Sequence, residues 1–186
     1  ICTTHILDEN EKIYNAPAIK KYLADKPCVL IHIAKRFQGL IVRKDNKKNI
    51  KGISDLSRPE VKFINRQSGS GTRILLDMLL SENDIEKHHI NGYDREESTH
   101  TAVGIQVRES IADTGIAIYS IARVFSLDFI PLAEEDYDLL VTKEFTEDRR
   151  FKLLMDMVNS NEFRQRLEKL GGYNTKETGR IKFTKG

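Results

Sequence analysis

Long hydrophobic runs, a dominant charge and clustered cysteines are all missing from this chain. No apolar stretch approaches the roughly 20 residues of a membrane-spanning helix. Lys and Arg number 30 against 28 Asp and Glu, so no global field draws the chain to nucleic acid. The cysteines are Cys2 and Cys28, and neither has Cys or His neighbours at metal-ligand spacing. Two cysteines can pair, but free, partly buried thiols in a reducing cytoplasm are the expectation. Ile1-Cys2-Thr3-Thr4 is not a basic segment followed by an apolar one, so no secretory leader is visible; a mature exported chain would have lost it. No Ser–His–Asp spacing, paired-carboxylate motif or metal cluster stands out. His88-His89 lacks a third ligand and reads as surface.

What is present centres on Val61 to Leu80, VKFINRQSGSGTRILLDMLL. Val61, Phe63 and Ile64 read as a buried strand bounded by Pro59. Ser68-Gly69-Ser70-Gly71-Thr72 suits a tight turn that caps a helix, and Ile74, Leu75, Met78 and Leu79 then recur at helical spacing. The first helical turn has unpaired N–H groups and partial positive charge, and small residues there let an anion approach. Ser68, Ser70 and Thr72 add hydroxyls, and Arg66 and Arg73 flank the turn with forked charged donors. On spacing alone an anion site and ordinary capping stand level. The run is not a Walker loop, because Arg73 follows Thr72 where that motif needs Lys, and its glycines are too close for a dinucleotide fingerprint.

Two further junctions repeat the pattern. Ser98-Thr99-His100 opens a helix through Val107, with His100 placed to donate to an anion or to pack the helix end. Ala112 to Ile118 reads as a strand, and Tyr119-Ser120 starts the next helix. In an open α/β sheet such junctions share the carboxyl edge, where ligands bind. Upstream, Ala16 to Leu23 is a short helix opened by Pro17, and Cys28 to Ala34 is a dense apolar strand. Lys35 to Gly39 interrupts that strand before Leu40-Ile41-Val42 resumes it, a bend that suits a crossing between lobes and puts Arg36 either near a cleft or in a solvated turn. Leu127 to Leu132 and Tyr137 to Val141 read as two strands separated by Glu134-Glu135-Asp136; helices near 149–159 and 161–170 follow, ended by Gly171-Gly172.

INRQSGSGTRILLD, NGYDREESTHTAVGIQV and IADTGIAIYSIARVFSLDFIPLAEEDYDLLV together resemble the periplasmic-binding-protein-like domain fused to molybdate-regulator-type helix-turn-helix domains or to molybdopterin biosynthesis proteins. The resemblance runs from HILDEN to EKLGGYNTKETG; Ser68 departs from it, since members often carry a basic residue there. It implies an α/β, type 2 periplasmic-binding-protein-like fold of two lobes, each a three-layer α/β/α arrangement. The first lobe would comprise residues 1–37 and 127–173, the second 38–126, with 174–186 a flexible tail. A strand–helix–strand–helix section expected before HILDEN is not in the sequence, so the first lobe is expected to be incomplete.

The resemblance also implies a non-catalytic, cytoplasmic ligand-sensing domain that closes over a small oxyanion such as molybdate or tungstate, or a molybdenum-cofactor-related anion. No cofactor, metal or membrane is implied, and the partners would be a fused or separate DNA-binding or molybdopterin-biosynthesis domain and possibly a second copy in a homodimer. The expected ligand-binding residues are Arg36, Arg66, Ser68, Gly69, Ser70, Gly71, Thr72, Arg73, Thr99, His100, Tyr119 and Ser120. The alternative is an enzyme or accessory domain acting on an anionic substrate, with His100 as acid or base and Arg73 as a clamp. A degenerate lobe used only for subunit contact is the third reading.

Overall fold

The computed structural model describes residues 1–8 and 11–185. Glu9 and Asn10, and Gly186 at the end of the expected tail, lie outside the described residues. In chain order the elements are β1 (Cys2–Thr4), α1 (Ala16–Tyr22), β2 (Cys28–Val42), β3 (Phe63–Arg66), α2 (Gly71–Glu82), β4 (Glu96–Glu97), α3 (His100–Arg108), β5 (Thr114–Ile118), α4 (Tyr119–Val124), β6 (Asp128–Thr142), α5 (Arg149–Val158), α6 (Asn161–Leu170), β7 (Tyr173–Asn174) and β8 (Ile181–Lys185). They form two compact units, Ile1–Arg36 with Glu134–Gly186, and Phe37–Ala133.

In the second unit β3 lies between β4 and β5 and runs parallel to both, while β5 pairs antiparallel with residues 38–42 of β2. Side chains alternate across a strand, and the core follows that alternation. Leu40, Val42, Phe63 and Ile116 pack with Leu76 and Leu80 of α2 on one face. Ile41, Ile64 and Ala117 pack with Val103 and Val107 of α3 and Ala122 of α4 on the other. The sheet is therefore covered on both faces, which is why its strands read as unbroken apolar runs. Burying each of these Leu, Ile or Phe side chains contributes about 1.5–3 kcal/mol. The layering is α/β/α, as the resemblance implies.

The first unit is built the same way. Val29, Ile31, Leu139 and Val141 face Phe151, Leu154 and Met155 of α5. Cys28, Leu30 and Leu140 face Ile19 of α1 and Phe183 of β8. β1 pairs antiparallel with β6 through Thr3 and Leu139, and β7 and β8 pair antiparallel with β2.

Three elements differ from expectation. Lys35 to Gly39 does not interrupt β2, which continues for 15 residues: Lys35 and Arg36 pair with Glu134 and Glu135, and Gly39 leaves room for the Ile130 carbonyl. Glu134-Glu135-Asp136 does not separate two strands either. Their carboxylates pair with Lys35 (3.7 Å), Arg36 and Lys182 (2.8 Å), so β6 also runs unbroken for 15 residues. The segment expected as a flexible tail includes β8, which pairs with β2 from Cys28 to Ile31 and seats Phe183 in the core. Cys2 is exposed, Cys28 is buried, and both are free thiols.

Gly39 of β2 lies against a neighbouring backbone in the second unit. A Cβ there would stand 2.2 Å from the Ile130 carbonyl oxygen and 2.7 Å from the Phe129 ring. Gly39→Ala is expected to destabilise the fold by about 2–3 kcal/mol in denaturant unfolding. Gly52→Ala, whose Cβ would meet nothing within 4 Å, is expected to stay within about 0.5 kcal/mol of the parent.

Candidate functional site

Parallel pairing fixes the site in the second unit. Because β3, β4 and β5 run the same way, their carboxyl ends at Arg66, Glu97 and Ile118 lie along one sheet edge. The helices α2, α3 and α4 each leave from that edge. The turn before α2 is closed by the Ser70 N–H donating to the Gln67 carbonyl at 3.2 Å, with Gly69 at φ +80°, a left-handed conformation that glycine adopts without strain. Ser70 caps α2 by accepting from the Arg73 N–H at 3.2 Å, and Thr99 caps α3 by accepting from the Ala102 N–H at 3.0 Å. Each cap thus satisfies the third N–H of its helix. The N–H groups of Gly71 and Thr72, and of His100 and Thr101, are first-turn donors with no carbonyl one turn below them. Each hydroxyl that accepts in this way keeps its own hydrogen to donate.

The two arginines of the turn are committed elsewhere. The Arg66 fork donates to the Glu97 carbonyl (3.3 Å) and the Ser98 carbonyl (3.0 Å), tying the β3 end to the α3 entry. Arg73, with its side chain 11 % exposed, donates to Glu96 (2.7 Å), Asp77 (3.4 Å) and the Tyr93 hydroxyl (3.2 Å) and lies 4.0 Å over the Tyr93 ring. Burial works against its charge, yet the hydrogen bonds to Tyr93 and Glu96 and the nearby Asp77 outweigh it and hold the guanidinium above its ordinary pKa. The second oxygen of Glu96 accepts from the Ser68 backbone N–H at 3.2 Å. One carboxylate therefore bridges the turn backbone and Arg73, so the turn already holds an anion of its own.

The remaining expected residues fall in these places. Thr72 is buried at the second position of α2, and His100 is the half-buried first residue of α3. Tyr119 and Ser120 begin α4, a helix of six residues with no side-chain cap, and the Tyr119 ring stands edge-on to Phe129 at 5.1 Å. Arg36 belongs to the first unit. It is 8 % exposed, pairs with Glu135 and lies 4.4 Å over the Tyr137 ring, so it is a buried ion-pair partner rather than a solvated turn residue. Burial, with Glu135 and Asp136 adding to it and Arg36 opposing, pushes the neighbouring Tyr14 hydroxyl well above its ordinary range.

Sequence reasoning passed over Glu96 and a buried polar cluster in the first unit. There the Asp138 carboxylate, fully buried, meets His32 Nδ1 at 2.7 Å, Asn15 Nδ2 at 2.7 Å and Lys182 Nζ at 2.9 Å. Burial raises the Asp138 pKa, but the hydrogen bonds from His32, Lys182 and Asn15 overcome it and hold the carboxyl below its usual value. A histidine inside the apolar run CVLIHIA was the available signal; its partner 106 residues away was not.

The chain belongs to the PBP superfamily: residues 1–159 match the PBP-like family described as a PBP superfamily domain. Its fold is that of the type 2 periplasmic binding proteins. It is 38% identical over 181 residues to the Bacillus subtilis (strain 168) protein YvgK, covering 97% of this chain and 58% of YvgK. Among solved structures it is similar to the ancestral amino acid-binding protein AncCDT-1, a precursor of cyclohexadienyl dehydratase, with TM-score 0.58, 18% identity, 84% of this chain and 65% of that one. PEB3 bound to L-phospholactate aligns with TM-score 0.55 and 13% identity over 78% of this chain and 68% of PEB3. The chain thus spans less than two thirds of the length of YvgK and of AncCDT-1. No helix among the described residues is long and apolar enough to cross a membrane.

Two outcomes follow for the charged groups. Asp138→Asn is expected to destabilise the chain by about 3–5 kcal/mol, since it leaves the buried partners of the carboxylate unmatched. Because the folded-state pKa of Asp138 is lowered, its contribution is present above the ordinary carboxylate pKa of about 3.9 and is lost as pH falls through the lower folded value. Urea midpoints of the parent are expected to fall as pH drops from about 6 to about 3, and Asp138→Asn to flatten that fall.

Proposed function

We propose that the chain is a ligand-binding domain that takes a small oxyanion at the α2–α3 edge of the second unit, through backbone N–H groups and capping hydroxyls. The observation that carries this reading is the Glu96 carboxylate, held by the Ser68 N–H and the Arg73 guanidinium at the mouth of the turn. Groups that donate to both oxygens of a carboxylate have the geometry and charge that an incoming oxyanion needs. With Arg66 and Arg73 engaged by the protein's own carbonyls and carboxylates, the recognition falls to Gly71, Thr72, Ser70, Thr99 and His100. The similarity to domains fused to molybdate-type regulators and molybdopterin biosynthesis proteins supports molybdate or tungstate as the ligand and regulation of a fused or partner domain as the outcome of binding. In this reading the N–H groups and hydroxyls hold the anion, and the role is binding.

Thermal unfolding of the full-length protein with molybdate, tungstate, sulfate, phosphate, L-phospholactate or an amino-acid panel tests the reading. A ligand at about 100 times its dissociation constant stabilises the folded state by about 2.7 kcal/mol, a clear rise in midpoint. Molybdate or tungstate is expected to give that rise. Gly71→Pro removes one first-turn donor at a position where proline suits a helix, and Ser70 before it is already extended at ψ 147°. This variant is expected to keep its unliganded midpoint and lose most of the oxyanion shift. Glu96→Gln is expected to strengthen oxyanion binding several-fold, by removing the competing carboxylate charge. A rise with amino acids alone, or an oxyanion rise untouched by Gly71→Pro, would move the ligand away from this edge.

A further inference from the structure

The first unit contains a second candidate site, apart from the α2–α3 edge. A cavity of about 330 Å³ is lined by His32, Lys35, Asn174, Lys176 and Glu177. His32 sits on β2 and is 2 % exposed. Its backbone is clamped on both sides by the turn that precedes β8: its N–H donates to the Arg180 carbonyl, and its own carbonyl accepts from the Gly179 N–H, each at 2.8 Å. Its Nδ1 faces Asp138, which three donors surround. A carboxylate held ionised by Asn15 and Lys182 makes Nδ1, which faces it, the hydrogen-bearing nitrogen of that contact. Nε2 is then an acceptor, and no hydrogen-bond partner for it occurs among the described residues.

The rest of the lining consists mainly of donors. Asn174 Oδ1 is taken by the Lys176 N–H at 3.1 Å, which leaves the Asn174 amide hydrogens for a guest. Glu177 is paired with Arg180, so its charge is matched within the turn. Lys35, 3.7 Å from Glu134, and Lys176 bring ammonium groups. Such a cavity is within the size range of small-molecule sites. The residues that close it, from Asn174 to Glu177, lie beyond the segment that matches the PBP superfamily.

We propose that this cavity binds a small oxyanion that carries one hydroxyl hydrogen, of which monohydrogen phosphate is the simplest. The ammonium groups and the Asn174 amide donate to its oxygens, and its O–H donates to His32 Nε2. The Asp138–His32 pair fixes the direction of that last bond, and with it the preference for a hydroxyl over a bare oxygen.

The test is a titration of the full-length protein with inorganic phosphate at mildly alkaline pH, followed through the imidazole nitrogens of His32. The ring is expected to be the Nδ1–H tautomer before phosphate is added and to shift saturably as it is added. Sulfate, with the same charge and no hydrogen, is expected to bind at least about tenfold more weakly, because one hydrogen bond is lost and the Nε2 lone pair is left facing a bare oxygen. Lys176→Ala, at an exposed position, is expected to weaken phosphate about tenfold with the unfolding midpoint unchanged. Gly71→Pro is expected to leave the His32 response intact, which separates this site from the edge in the second unit. An Nε2–H tautomer, no saturable shift, an equal response to sulfate, or a titration indifferent to Lys176→Ala would each overturn the proposal.

Discussion

A charge taken out of water must meet its opposite, and that constraint governs the largely buried arginines Arg36 and Arg73. Arg73 is mostly buried and spends its fork on Glu96, Asp77 and Tyr93. Arg36 is buried and spends its own on Glu135. Asp138 is fully buried and is matched by His32, Asn15 and Lys182. Leaving any of these unmatched costs several kcal/mol, which exceeds what a single surface contact returns. The pairing decides the fold as well as the chemistry. It lets β6 carry three acidic residues through its middle without breaking, and beside the glycine-rich turn it commits Arg73 to Glu96, Asp77 and Tyr93.

The same constraint explains how much was legible beforehand. Apolar periodicity located β3, α2, α3 and β5, because a sheet covered on both faces must carry unbroken hydrophobic strands and its helices a single apolar stripe. Ser70 and Thr99 were readable as caps, since capping chemistry is local. The charged stretches of β2 and β6 look like interruptions in the sequence, because local composition does not show that Lys35, Arg36 and Lys182 pair with Glu134, Glu135 and Asp136. The polar C-terminal segment hid β8 for the same reason: only Phe183 marks its buried face.

Candidate site residues divide along that line too. Those proposed for backbone or hydroxyl donation, Gly71, Thr72, Ser70 and Thr99, are drawn from the turn and cap sequences themselves. Arg66, Arg73 and Arg36 were chosen for their charge, and charge is what distant partners claim. Glu96 opposes Asn65 across the β3–β4 pairing, and His32 reaches Asp138 across 106 residues, so neither role was visible until the strands were placed. A family resemblance carried the fold; it did not carry the ion pairs.

The most direct measurement follows the backbone amides of the full-length protein by NMR while molybdate or tungstate is added. Recognition by helix N-termini predicts saturable shifts of the Gly71, Thr72, His100 and Thr101 amides, with the Arg73 side-chain signals staying paired to Glu96 and Asp77. Saturation accompanied by movement elsewhere, with those four amides still, would contradict a backbone anion site at this edge.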